Sequence, residues 1–230
     1  PVLGASLDLF ARLDALAGAG MNRASIGVQD FDEQIQKSIG RMQGYDITRH
    51  AVDEIRARGV KSLNADILYG LPHQNRARIT ESVQKLLSLN PDRVALYGYA
   101  HVPWMAKRQQ MIPSDALPTP QERLALFETA RRLFLWDNYD EIGIDHFATA
   151  SDGLSVAQKS GLLRRNFQGY TDDTAEVLIG LGASSKRAPF LKKRAFQPSI
   201  HFQTLLKHFS TFKFSRNFHA KVIPSCLKDG

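Results

Sequence analysis

RASIGVQ at residues 23–29 and SLNADIL at residues 62–68 decide the fold. Side chains alternate along a strand, so Ala24, Ile26 and Val28 share one face while Ser25, Gly27 and Gln29 share the other. The second stretch repeats the scheme, with Leu63, Ala65 and Ile67 opposite Asn64 and Asp66. An apolar outer face for helices and a small polar inner face suit a barrel or partial barrel with a roomy interior. A doubly wound open sheet buries both faces, and its strands read as unbroken apolar runs, which these are not.

Working outward, residues 93–100 and 141–147 read as a third and a fourth strand, the last setting Ile142 and Ile144 against Gly143 and Asp145. Helical patterns lie between the strands. Residues 7–16 are amphipathic and closed by Gly18 and Gly20; Asp46 caps a helix carrying Ile47, Ala51 and Ile55 that ends at Gly59. Residues 79–89 stop at Asn90 and Pro91. Thr119, Pro120 and Glu122 form a capping box heading a helix lined by Leu124, Phe127, Ala130 and Phe134. Strand alternating with helix predicts parallel βα units with right-handed crossovers, hence an α/β, partial TIM-like (β/α) barrel. Four strands do not close a barrel, so the N-terminal strands are expected upstream of Pro1, leaving the first strand as an exposed edge. The site is expected at the C-terminal ends of the strands, which present Gln29, Asp66 and Asp145.

Composition divides the 230-residue chain in two. Of its 30 Lys and Arg and 23 Asp and Glu, ten bases and one acid lie from Lys186 onward, so residues 1–185 carry 20 bases and 22 acids. The same tail holds seven of the thirteen Phe and three of the seven His, with no helical or strand period. We read residues 1–185 as the barrel body and 186–230 as an unmatched, poorly ordered basic tail, the product of a shifted frame or a rearranged gene. Lys192, Lys193 and Arg194 beside Phe190 and Phe196 read as chance composition, so no nucleic-acid partner is expected. No apolar run is long enough to span a membrane and no secretory leader is present, so the expectation is a monomer in the cytoplasm, away from membranes. The single cysteine, Cys226, excludes a disulfide framework and an all-cysteine metal site within the chain.

Five runs stand at the strand ends: SIGVQDF at 25–31, NADILYGLP at 64–72, YAHVP at 99–103, GIDHFA at 143–148 and RNFQGY at 165–170. In this order and spacing they resemble the oxygen-independent coproporphyrinogen III oxidases, or coproporphyrinogen dehydrogenases, of the radical S-adenosylmethionine (SAM) superfamily. The likeness covers about residues 10–185. GVQ-x-F and D-x-x-x-GLP also resemble the haem-chaperone branch, whereas YAHVP and RNFQGY select the oxidases. The resemblance implies SAM and a [4Fe–4S] cluster as cofactors and coproporphyrinogen III as substrate. The reaction it implies is oxidative decarboxylation of two propionates to vinyl groups, giving protoporphyrinogen IX in haem biosynthesis.

Carried over by position, Gln29, Arg41, Asp66 and Ala100 resemble the residues that contact SAM. Arg41 suits the methionine carboxylate, Asp66 suits ribose hydroxyls or the ammonium, Gln29 suits either, and Ala100 offers smallness and backbone groups beside an adenine. Gln168 is placed near the propionate or a second SAM. No residue is assigned a catalytic step. His101 and His146 read as structural histidines, Trp104 and Trp136 as packing residues and Cys226 as incidental.

The family's C-x-x-x-C-x-x-C cluster segment has no counterpart here, nor has the glycine-rich segment after it, and Lys186 stands where an isoleucine is expected. This chain is therefore expected to be inactive by itself, with no metal ligands of its own. The alternative from another class is a non-catalytic module of the haem-chaperone branch that binds a tetrapyrrole or a partner.

Overall fold

The computed structural model describes residues 2–166, 169–174, 177–178, 188–189 and 219–222. Element order is α1 (Val2–Gly18), β1 (Arg23–Gln29), α2 (Glu33–Ser38), α3 (Tyr45–Ala57), β2 (Ser62–Tyr69), α4 (Arg76–Leu87) and β3 (Arg93–Gly98). There follow α5 (Pro120–Trp136), β4 (Tyr139–Ile142), β5 (His146–Thr149), α6 (Gly153–Lys159), β6 (Arg164–Asn166) and β7 (Gly169–Thr171). Short segments β8 (Val177–Leu178) and β9 (Ala188–Pro189) pair with each other, and β10 is His219–Val222.

One six-stranded sheet organises the fold, in the order β10-β1-β2-β3-β5-β4. From β10 to β3 all pairings are parallel. The apolar face predicted for the strands is buried: Ile26, Leu63, Ile67, Val94, Leu96 and Phe147 belong to one core with Leu13, Val52, Ile55, Ile79, Val83, Leu86 and Phe134 of the helices. Phe134 and Phe147 meet at 4.8 Å between ring centroids. The capping box at Thr119 and Glu122 is present as read, and it starts α5, which packs against α4, β4 and β2.

Several sequence expectations are corrected. Residues 141–147 are not a parallel strand: Gly143 at φ 64 turns the chain, and β4 and β5 form an antiparallel hairpin that pairs antiparallel with β3. Alternation in a short stretch does not distinguish one strand from two halves of a tight hairpin. Gly44, not Asp46, is the N-cap of α3, and Leu124 is exposed because the buried stripe of α5 runs through Leu126, Ala130 and Phe134. Trp104 and Trp136 are 76% and 89% exposed, so neither packs a core. The edge of β1 is not bare, since His219–Val222 lies parallel along residues 23–26. Apart from residues 188–189 and 219–222, the expected disorder of the tail falls outside the described residues. Among the described residues, no helix is long and apolar enough to cross a membrane.

Candidate functional site

Strand register lines up the second face of the sheet in rows. Ser25, Asn64 and Arg93 are partners in one row, and Gly27, Asp66, Ala95 and His146 in the next. Two of the four positions in that second row are Gly or Ala, so the sheet presents a shallow floor with a carboxylate and an imidazole rising from it. Asn64 Nδ2 donates to Ser25 Oγ at 2.9 Å and to Asp66 Oδ1 at 2.7 Å, fixing the carboxylate from below.

Above Gly27 the ladder is irregular. Register shifts between Gly27 and Gln29, and Gln29 has φ 71, a left-handed conformation uncommon for a side chain of its kind. A Cβ placed on Gly27 would lie 2.7 Å from Gln29 Nε2 and 3.2 Å from Arg41 Nη2. Gly27 is thus a cradle under two side chains that both lean over the floor. Burial lowers the pKa of Arg41, while the negative charge of Asp66 works to raise it.

Arg41 stands on the loop after α2, not on a helix, and a buried polar lattice holds that loop. Gln36 donates from Nε2 to Asp30 O (2.8 Å) and Gln43 O (2.7 Å) and accepts from Gln43 N (2.9 Å). Asp30, fully buried, accepts from Asp32 N, Ser82 Oγ and Gln74 Nε2. Burial raises its pKa against those three donors. Gln74 also accepts from Gly70 N and Leu71 N, tying the GLP turn to the GVQDF turn. These locking residues carry no periodic signal in sequence, and reading the motifs alone missed them.

Arg41 Nη2 donates to Gly27 O at 2.7 Å and Gln43 Oε1 at 3.1 Å, yet its buried Nε has no hydrogen-bond partner. A buried donor without an acceptor costs stability, so the arrangement fits an added anionic group. The donors of Arg41 fit the carboxylate of SAM, and the Asp66 carboxylate beside them is an acceptor that fits its ammonium. Ala100, exposed two residues beyond β3, lies past the same end of the sheet, and its carbonyl accepts from Gln109 Nε2 at 3.1 Å. Gln29 and Arg41 meet over Gly27, whose partner across the ladder is Asp66. Gln168 lies outside the described residues.

At the other side of the floor, Asp145 Oδ1 holds His146 Nδ1 at 2.7 Å, and His146 Nε2 faces Tyr97 Oη at 3.4 Å. The imidazole is thus held at both nitrogens, by the carboxylate at Nδ1 and the phenol at Nε2. Burial, then the charges of Asp66 and Asp145, push the Tyr97 phenol up to about 12, so it remains protonated. His146, expected as a structural histidine, is the centre of this group, held by Asp145 and packed against Tyr97 and Tyr170.

The profile of the Radical SAM superfamily matches residues 4–86. Oxygen-independent coproporphyrinogen III oxidase of Paracoccus denitrificans is 77% identical over 175 residues, covering 76% of this chain and 39% of that protein. Over that stretch the chain is similar to the oxygen-independent coproporphyrinogen III oxidases. An oxidase of the same name from Cereibacter sphaeroides is 62% identical over 175 residues, again 39% of its length. Among solved structures, coproporphyrinogen III oxidase (HemN) from Escherichia coli, a radical SAM enzyme, superposes with a TM-score of 0.73 at 36% identity, over 79% of this chain and 42% of that one. These relatives are oxidases, and the haem-chaperone alternative is not favoured. The chain spans about 39% of the curated relatives it matches.

The cluster is a different matter from SAM. The sequence has one cysteine, which cannot supply three thiolates, and among the described residues no group of three or more His, Cys, Asp or Glu is placed to hold a metal. The residues of this chain do not fit a [4Fe–4S] cluster.

Proposed function

We propose that this chain forms the SAM- and substrate-facing wall of a coproporphyrinogen III oxidase, acting on coproporphyrinogen III in oxidative decarboxylation. The observation that carries the reading is the convergence of Gln29 and Arg41 over Gly27, with the buried Arg41 Nε left without an acceptor beside Asp66. Arg41 holds the amino-acid carboxylate of SAM, Asp66 accepts from its ammonium or ribose hydroxyls, and Gln29 serves whichever group lies above Gly27. Ala100 and Gln168 belong to the same proposal, the first beside the adenine and the second near a propionate. Bound SAM would supply hydrogen-abstracting chemistry only with an electron from a cluster that this chain does not hold, and the residues of this wall bind, orient and exclude water.

Because the residues present do not fit the cluster, this chain alone does not turn over. Equilibrium dialysis with SAM, alone and against the Arg41→Met and Asp66→Asn variants, tests the binding half of the proposal. Each substitution should weaken binding about tenfold or more, since each removes a charged hydrogen-bond partner. Undiminished binding by both variants would sink the reading. Formation of 5′-deoxyadenosine after anaerobic reconstitution with iron and sulfide would overturn the claim that the chain is inactive alone.

A further inference from the structure

Two motifs that lie apart in sequence interlock through reciprocal glycines. Gly143 of the GIDHFA turn has φ 64, and a Cβ there would fall 2.1 to 2.5 Å from atoms of the Tyr170 ring. Gly169 of the RNFQGY hairpin has φ 138, and a Cβ there would fall 3.2 Å from both Cε1 and Nε2 of His146. Each glycine makes room for the other motif's ring. Tyr170 then meets His146 edge-on at 5.4 Å, and His146 meets Tyr97 edge-on at 5.7 Å. Asp145 locks the middle ring from behind.

Arg165 ends the stack. It is the cross-strand partner of Tyr170 in the β6–β7 hairpin, and its guanidinium carbon lies 5.2 Å over the Tyr170 ring. Its charge reaches Tyr97, on the floor of the hollow, where it counters the two carboxylates. Arg165 has no hydrogen bond or ion pair among the described residues, although it is oriented by four aligned groups. A guanidinium fixed by stacking keeps its fork of N–H donors free for a planar anion.

We propose that Arg165 is the residue that takes a carboxylate of the substrate, a propionate of the tetrapyrrole, with Tyr170, His146 and Tyr97 as its positioning residues. This rests on the reading of the chain as the substrate-facing wall of the oxidase. It assigns a specificity-determining contact at the opposite side of the floor from Arg41, so SAM and substrate carboxylates meet different cations.

The test uses coproporphyrin III, the stable oxidised tetracarboxylate, and its tetramethyl ester, with binding to the full chain followed by porphyrin fluorescence. Arg165→Gln should weaken coproporphyrin binding about tenfold or more and reduce its salt dependence. Binding of the tetramethyl ester should be the same in both proteins. Every variant carries the same ten basic residues from Lys186 onward, so general attraction to the tail cancels in the comparison. Tyr170→Phe keeps the ring and should bind as the parent does, whereas Tyr170→Leu should lose affinity with Arg165 still present. The Arg165 guanidinium has no hydrogen bond or ion pair among the described residues, so Arg165→Gln should keep the parent's circular dichroism and unfolding midpoint. Equal coproporphyrin affinity in parent and Arg165→Gln would overturn the assignment and leave the proposed function standing. No coproporphyrin binding by the parent would overturn that function, and this inference with it.

Discussion

The two ends of the same sheet face treat arginine in opposite ways. At the N-terminal end of the parallel strands, Arg93 Nε donates to both oxygens of Asp152 at 2.7 and 2.8 Å, and Arg23 forms a bidentate pair with Asp172 at 2.9 Å. Arg93 also lies 3.5 Å from Asp172, so two cations and two carboxylates make a closed set. At the C-terminal end, among the described residues, Arg41 has a buried nitrogen without an acceptor and the Arg165 guanidinium has an aromatic ring but no carboxylate. Matched charges at one end hold the chain together; at the other end the two arginines pair with no carboxylate among the described residues, as the proposed ligand contacts require. The segment carrying Asp172 follows directly on β7, so the paired end also anchors the hairpin that presents Arg165.

Arg93→Ala should have the largest effect. It strands Asp152, whose side chain is 4% exposed, and removal of one partner of a buried pair costs about 3–5 kcal/mol, read as a lower midpoint in urea. Gly143→Ala comes next. The Tyr170 ring must leave its seat and the new residue must hold a positive φ, a combination costing about 1–3 kcal/mol and raising hydrogen exchange in residues 164–171.

Acid should separate the ends further. Burial acts to raise the Asp172 pKa, but hydrogen bonds from Arg23 and the charges of Arg23 and Arg93 prevail, and the net shift is below the ordinary 3.8. A depressed carboxylate stabilises the fold above its unfolded value, and that contribution is lost as pH falls through the folded value. Asp172→Asn should therefore flatten the loss of stability below pH 3.8. Asp30 has the opposite sign: burial raises its pKa, so its ionised form weakens the fold at neutral pH and this cost disappears as pH falls through the raised value. Asp30→Asn should leave the acid limb at least as steep as in the parent.

The smallest effect is expected at Arg41. Arg41→Met removes a charge whose burial is only partly compensated, so stability should change by no more than about 1.5 kcal/mol while SAM binding falls. Destabilisation as large as that of Arg93→Ala would break the contrast between the ends.

Legibility followed the length of each signal. The strands at 23–29 and 62–69 could be read because alternation fixed both faces, and α5 because its capping box is local chemistry. The hairpin at 139–149 was misread because its turn rests on one glycine at positive φ, and a single residue gives no period. Gln29, Arg41 and Asp66 were picked out through motif resemblance, and the approach of Gln29 and Arg41 over Gly27 goes with a register shift that composition does not encode.

By itself, the sequence determined which faces are apolar, where the helices begin, which family motifs are present and that one cysteine cannot make a thiolate site. Tertiary structure alone decided which arginines are neutralised and which are not. Charge pairing depends on distances of a few ångströms between residues far apart in the chain, as with Arg23 and Asp172, and no spacing rule along a sequence carries that information.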